Sequence, residues 1–281
     1  MTHVPTSEGG GHPTRRAVLK ALLSAGAGTL VGSAAYGFGW ARHRLEVTRT
    51  DLPVAGLAPG LDGLRIALIT DVHCSATVDP DDASRAVGLA NDASPDLTVL
   101  GGDYVTFADR DYVDLAADLL GAARASHGVY AVLGNHDDDR YVPAALGRRS
   151  IAVLCDARTS LRIRGERLDL VGIRYWTRRV PDILRIVGDQ RDATVLLAHD
   201  PRRLTEAATL GIPLVLSGHT HGGQVVVPGL GAPAARRFPV LAGPARRGRT
   251  TLFVSRGVGT VYLPVRLNCP PEVAVLTLRA A

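Results

Sequence analysis

Five short apolar runs in this chain each end in residues able to hold a metal ion, and that repetition constrains the fold more than any other feature. Ile66–Ile69 leads to Asp71 and His73, Leu97–Leu100 to Gly101-Gly102-Asp103, and Val129–Leu133 to Gly134-Asn135-His136-Asp137. Further along, Val195–Ala198 leads to His199, and Leu214–Ser217 to Gly218-His219-Thr220-His221. A short apolar run of this kind reads as a buried strand. In open α/β sheets, ligands gather beyond the carboxyl ends of such strands. Ends that offer carboxylates, imidazoles and an amide, and no thiolate ligand, are hard to assign to packing alone.

The 281 residues, 46% of them hydrophobic, suffice for one large domain or two small ones. One domain behind a leader fits best. No linker-like stretch follows Arg44, there is no internal repeat, and a boundary between Asp71 and His221 would split the ligand set. The expected division is residues 1–44 as leader and 45–281 as domain. The formal charge of +5 suggests a nucleic-acid or membrane partner. However, Arg15, Arg16, Lys20, Arg42 and Arg44 lie in the leader against Glu8 alone, which leaves the domain nearly neutral. A whole-domain electrostatic footprint for nucleic acid is thereby excluded. Cys74, Cys155 and Cys269 show no metal-type spacing, and their odd number prevents complete pairing within the chain. One disulfide and buried free thiols both stay open, with free thiols favoured.

Within the leader, Thr14-Arg15-Arg16-Ala17-Val18-Leu19-Lys20 precedes an uncharged stretch from Ala21 to Trp40. The pattern resembles a twin-arginine export signal. At ~1.5 Å per residue the uncharged stretch is just long enough to cross a bilayer. Its glycines and serines make it less apolar than a stop-transfer helix. Ser33-Ala34-Ala35 offers a weak small-x-small cleavage site, so cleaved signal and membrane anchor are both open. Export implies the twin-arginine translocase as a partner and an extracytoplasmic place, anchored to the cell membrane or secreted to the wall. A translocase that carries folded proteins would let the domain acquire its ions in the cytoplasm, where availability helps choose the metal. The alternative is a cytoplasmic protein with a disordered start and a buried helix.

Along the domain, Leu45–Val54 reads as an edge strand and Arg65–Ile69 as the first core strand. Helices are expected over 81–91 and 112–125, alternating with strands in the manner of βαβ units and a parallel sheet. Beyond them, Leu161–Ile163 and Leu168–Ile173 form a hairpin through Arg164-Gly165-Glu166-Arg167. Helices at 180–187 and 202–210 and strand-like segments at 224–227, 252–255 and 273–278 follow. Two sheets packed face to face with helices outside accommodate both halves.

The ligand-bearing residues can be weighed one by one. On an extended backbone, positions i and i+2 share a side, so Asp71 with His73, and His219 with His221, could each grip one ion. Asp103 supplies a carboxylate able to bridge two cations, and Asn135 a neutral oxygen. His199 alone could be an ordinary core histidine; beside the other motifs it reads as a ligand. Two divalent cations against the carboxylates of Asp71 and Asp103 leave a positive site suited to phosphate. Such a pair can activate a water and clamp the attacking and leaving oxygens. The oxygen and nitrogen donors suit Mn, Fe or Zn. His136, next to a ligand without being one, is the candidate general acid. Asp137 either holds that ring protonated or simply opens the acidic turn with Asp138 and Asp139.

Taken in order, these motifs resemble those of the calcineurin-like metallophosphoesterases, from about Arg65 to the C terminus. The resemblance implies a four-layer αββα sandwich of two mixed β-sheets. It also implies one ion held by Asp71, His73, Asp103 and His221, and a second held by Asp103, Asn135, His199 and His219. His136 matches the family's catalytic histidine. Gly222-Gly223-Gln224, Arg256-Gly257-Val258-Gly259, Pro264-Val265-Arg266 and Pro270-Pro271-Glu272 resemble the exported or membrane-tethered phosphodiesterase branch. The expected activity is hydrolysis of a phosphodiester or pyrophosphate by a metal-bridging hydroxide, with His136 as acid. The substrate would be a phosphate ester from envelope lipid or polymer. Phosphate scavenging from monoesters and a non-catalytic metal-binding scaffold are the alternatives. Arg266 either lines the substrate groove or braces the last strand. The Arg174-Tyr175-Trp176 patch either grips substrate, chiefly through Tyr175, or is a packed hairpin exit. Cys74, directly after a ligand, would make the site sensitive to oxidation if it were not simply buried.

Overall fold

Alternation within single strands decides the architecture. In the computed structural model, which describes residues 15–189 and 193–281, Ile66 and Leu68 face a second sheet while Ala67 and Ile69 face helices. Neighbouring residues of a strand point to opposite sides, so a strand apolar on both faces must be covered on both.

The chain opens with helix α1 (Arg15–Gly39) and strand β1 (Glu46–Val54). Then come β2 (Arg65–Ile69), α2 (Pro80–Asp92), β3 (Leu97–Leu100), α3 (Val113–Leu120), β4 (Val129–Ala131), α4 (Tyr141–Gly147) and β5 (Ala152–Val153). The second half contributes β6 (Ala157–Ile163), β7 (Glu166–Ile173), α5 (Val180–Val187), β8 (Thr194–Ala198), α6 (Leu204–Leu210) and β9 (Leu214–Ser217). It closes with β10 (Gly243–Arg247), β11 (Thr250–Val254) and β12 (Glu272–Ala280).

Two six-stranded mixed sheets result, ordered β1-β12-β2-β3-β4-β5 and β10-β11-β9-β8-β7-β6. Their shared core joins Ile66, Leu97 and Val99 of the first sheet to Leu170, Val195, Leu216 and Phe253 of the second. Helices α2, α3 and α4 cover the outer face of the first sheet, and α5 and α6 that of the second. This is the expected αββα sandwich. The parallel register of β2, β3 and β4, and of β8 and β9, aligns their carboxyl ends.

Several expected elements change in detail. The hairpin turn is tighter than the four-residue link read from sequence: Arg164 (φ 51°) and Gly165 (φ 85°) alone make it, both left-handed as a two-residue turn requires. The helix expected over 112–125 shortens to α3, led by a 3₁₀ turn at Arg110–Tyr112. Residues 224–227 form no ladder strand; Val225 and Val227 make only isolated bridges, to Leu267 and Gly231. Helix α4 and strands β5 and β10 had no clear periodic signal.

Residues Arg15–Gly39 are helical, but no helix among the described residues is long and apolar enough to cross a membrane. Thr14 and Glu8 lie outside the described residues. Contacts cross the boundary drawn at Arg44. The Gly37 carbonyl accepts from the Arg266 amide at 3.2 Å, Ala41 is buried, and His43 Nδ1 lies 2.6 Å from the Asp82 carboxylate. The Arg42 guanidinium also donates to the Thr77 carbonyl at 3.0 Å. Residues 37–43, read as the end of a leader, thus pack against the remainder of the fold.

Candidate metal centre

Each candidate ligand follows closely on a strand end: Asp71 and His73 after β2, Asp103 after β3, Asn135 after β4, His199 after β8, and His219 and His221 after β9. The backbone is not extended there. Asp71, His73, Asp103, His219 and His221 have φ of 54°, 53°, 57°, 73° and 51°. This corrects the extended geometry read for both x-separated pairs. Left-handed conformations at non-glycine residues cost about 1–3 kcal/mol each and persist where surrounding structure enforces them. Here hydrogen bonds between strand ends do so. The Asp71 amide donates to Gly102 O at 2.9 Å, the His73 amide to Asp103 O at 3.0 Å, and the Gly259 amide to Asp71 O at 2.7 Å. Glycine is required where backbones come this close: a Cβ on Gly134 would overlap the Asp103 carboxylate, and one on Gly218 the Asp71 carboxylate.

The side chains gather into two groups, Asp71 with His73 and His221, and Asp103 with His199 and His219, the ligand atoms of each lying within 4.8 Å of one another. Nε2 of His73 and Nε2 of His221 are 3.1 Å apart, and the latter is 3.5 Å from Asp71 Oδ1. Asp103 lies between the groups, its Oδ2 3.0 Å from His199 Nε2 and 3.6 Å from His73 Nε2. The side-chain oxygen of Asn135 is buried without a hydrogen-bond partner among the described residues. A buried polar atom left unpaired is costly, so this oxygen calls for a partner such as a cation. His199 donates from Nδ1 to Gly101 O at 2.8 Å, which turns Nε2 toward Asp103 and makes it the atom that would hold an ion in place of its proton.

Electrostatics agrees with this fit. Burial pushes the Asp71 carboxyl up to about 6. For Asp103 burial works in the same direction, but the neighbouring His199 overcomes it and holds the group below the usual carboxylate range. Burial depresses the imidazoles of His73, to about 4, and His219, to about 3, and of His221 well below normal, so these three are neutral donors. Against burial, Asp103 and Asp71 raise His199 to about 10. A cage that recruits a proton in this way calls for positive charge, and these oxygen and nitrogen donors fit divalent cations.

Asp137 does not hold the His136 ring, contrary to the role read for it. Its carboxylate accepts from the backbone amides of Asp103, Tyr104 and Gly134, each at 2.8 Å, tying the loops after β3 and β4 together. Three converging N–H groups outcompete a neighbouring imidazole for one carboxylate. The His136 ring is fixed instead by the Phe107 amide, which donates to Nδ1 at 3.0 Å. The neutral ring therefore carries its proton on Nε2. Burial depresses the His136 pKa.

Arg266 is corrected as well. It is fully buried, and its guanidinium donates to carbonyls of Gly257, Gly259, Arg256, Cys269 and His221. It braces the loop carrying His221 and lines no groove. Tyr175 stays beside the centre, half-buried, its ring 5.2 Å from that of His219. Arg174 reaches toward Asp156 and Asp139, and Trp176 is exposed. All three cysteines are free, and Cys74 is buried, the simpler of the two readings given for it; burial pushes its thiol up to about 12. Sequence reading missed Phe107 and Tyr262, whose rings lie 5.0 Å and 6.5 Å from His136, and Phe238, 5.1 Å from His219. Only Phe107, four residues beyond Asp103, stood close enough to a motif to be found from sequence.

Comparison with known proteins agrees with this geometry. The calcineurin-like phosphoesterase model matches residues 64–223. Among relatives, the "Uncharacterized metallophosphoesterase YkuE" of Bacillus subtilis is 28% identical over 95% of this chain and 98% of its own length. The "Phosphodiesterase YaeI" of Escherichia coli is 30% identical over 92% of this chain and 97% of its own. A bovine "Transmembrane protein with metallophosphoesterase domain" is 30% identical over 84% of this chain and 57% of its own. The chain belongs to the calcineurin-like phosphoesterase family and is a metal-dependent phosphoester hydrolase.

Proposed function

We propose that this chain is an exported phosphodiesterase that holds two divalent cations, with Asp71, His73, Asp103 and His221 about one and Asp103, Asn135, His199 and His219 about the other. The observation that carries the reading is the pair of ligand groups with Asp103 between them and the Asn135 oxygen left unpaired. When bound, such a pair supplies an activated water and stabilises charge on the phosphoryl oxygens. The chain's own part is positioning. Phe107 fixes the tautomer of His136, so the ring presents its Nε2–H to the leaving oxygen as a hydrogen-bond acid that offsets the charge building there. Arg266 holds the His221 loop, and Asp137 the loops of Asp103 and Asn135, so that the ligands keep their places without substrate.

Preference for diesters over monoesters is supported by the name of the Escherichia coli relative. Export through the twin-arginine translocase is supported by Arg15-Arg16 at the head of α1. The test compares bis-p-nitrophenyl phosphate with p-nitrophenyl phosphate, using the full chain loaded with Mn. The expected result is a higher kcat/KM for the diester, and a kcat lowered by roughly 10²–10⁴ in His136→Ala with metal content unchanged. A preference for the monoester would replace the diester reading with phosphate scavenging. Loss of both metals from His136→Ala would remove its assignment as acid.

A further inference from the structure

Two cavities open on either side of the metal centre, and their linings differ in kind. One, of about 440 Å³, includes His219 and His221 and is walled by Val225, Phe238, Val261 and Leu263. The other, of about 490 Å³, lies on the His136 side: it includes Phe107, whose amide holds His136, and Thr106, whose hydroxyl is 3.2 Å from His73 Nδ1. Tyr262 lines both and divides them. It is 78% exposed and left-handed at φ 62°, a conformation unusual for tyrosine.

The two cavities differ in their polar groups; in the second the Ser75 and Thr77 hydroxyls bond each other at 3.4 Å and Asp109 accepts from the Asp111 amide, but others have no partner among the described residues. In the first, Gln224 is fully engaged with its own protein: its amide donates to Val261 O and Leu263 O and accepts from the Val261 amide. Thr220 donates to Leu241 O at 2.6 Å. Little is left there to read the edge of a base or a sugar, and Arg237 is the one formally charged side chain lining it among the described residues. In the second cavity Ser75, Thr77, Tyr112 and Thr260 present hydroxyls, with the carboxylate of Asp109 beside them. Those of Tyr112 and Thr260 make no hydrogen bond among the described residues.

We infer that the substrate is a phosphodiester joining a hydrocarbon-bearing group to a polar, hydroxylated alcohol, and that the alcohol is the group released. This rests on the phosphodiesterase reading above. In an in-line displacement the leaving oxygen must lie toward its proton donor, so the substituent on the His136 side departs. The hydrocarbon substituent stays on phosphorus in the apolar cavity, and Arg237 suits the negative charge of the diester. Water's oxygen joins phosphorus and the bond from phosphorus to the alcohol oxygen breaks. The Nε2–H of His136 donates a hydrogen bond to that oxygen as charge builds on it, and the oxygen takes up the proton lost by the water. The products are an alkyl phosphate and a free polar alcohol.

The experiment uses the full chain loaded with Mn and two diesters, octyl phosphoglycerol and methyl phosphoglycerol, with products identified by phosphorus NMR. Octyl phosphate and glycerol are expected, with kcat/KM at least tenfold higher for the octyl compound. Release of octanol and phosphoglycerol would overturn the orientation. Equal rates for both diesters, with bis-p-nitrophenyl phosphate still hydrolysed, would overturn the hydrocarbon assignment and leave the phosphodiesterase reading standing. Failure on bis-p-nitrophenyl phosphate itself would count against that earlier reading. Calorimetric binding of butyl, hexyl and octyl phosphate decides the apolar cavity without turnover. Burying a methylene gives about fourfold tighter binding, so octyl phosphate should bind at least ~10-fold tighter than butyl. Leu263→Glu, at an exposed position, should flatten that trend. Affinity independent of chain length in the unsubstituted protein would overturn the proposal.

Discussion

Asp103→Asn is expected to abolish turnover, by at least ~10³-fold, because it removes several kcal/mol of transition-state stabilisation that a correctly placed metal pair provides. The substitution preserves shape and changes only charge and donor pattern. Asp103 is the carboxylate between the two ligand groups, 3.0 Å from His199 and 3.6 Å from His73. An amide there brings N–H groups toward those nitrogens and withdraws the negative charge a second cation needs. It also removes the main support of the raised His199 pKa. The variant should bind at most one ion per chain with its thermal unfolding little changed, since the His136 amide can still bond the retained side-chain oxygen, as it does now at 2.8 Å. Elemental analysis and calorimetry check both parts. Two ions retained with full activity would place the bridging carboxylate elsewhere.

Arg266→Met should have the largest effect on stability. The side chain is wholly buried and its guanidinium satisfies several carbonyls that no other donor reaches so closely, those of Gly259 at 2.6 Å and Arg256 at 2.9 Å among them. Each buried carbonyl left without a donor costs about 1–3 kcal/mol. A loss of at least ~3 kcal/mol is expected, which lowers Tm by roughly 6–12 °C in a domain of this size. Because the Gly257 and Gly259 carbonyls belong to the loop that bonds Asp71, and His221 is itself a candidate ligand, metal affinity should fall with stability. Unchanged Tm and metal affinity would show that the brace is dispensable.

These residues also mark how far the sequence could be read. The strand ends were legible because fully buried apolar runs stop abruptly at polar groups: Leu214–Ser217 are the observed bounds of β9. The candidate ligands converge because those ends are aligned by parallel pairing. Their backbone conformation was not legible, since a left-handed Asp71 or His221 is imposed by hydrogen bonds from segments far along the chain, not by local propensity. Asp137 was misread for a related reason. Adjacency to His136 suggested a pair, while the nearby backbone amides of Asp103, Tyr104 and Gly134 in fact take the carboxylate. Arg266 shows the same limit, for its partners lie at His221, Arg256, Gly257, Gly259 and Cys269, with Gly37 taking its amide. The contact of His43 with Asp82, 39 residues apart, left no periodic trace either.

The most direct test is a metal titration. The full chain would be stripped by chelation, and Mn added in steps while bound metal and hydrolysis of bis-p-nitrophenyl phosphate are followed together. Saturation at two ions per chain, with activity returning as the second site fills, is the predicted result. Full activity with a single bound ion, or activity that survives complete removal of metal, would contradict the account.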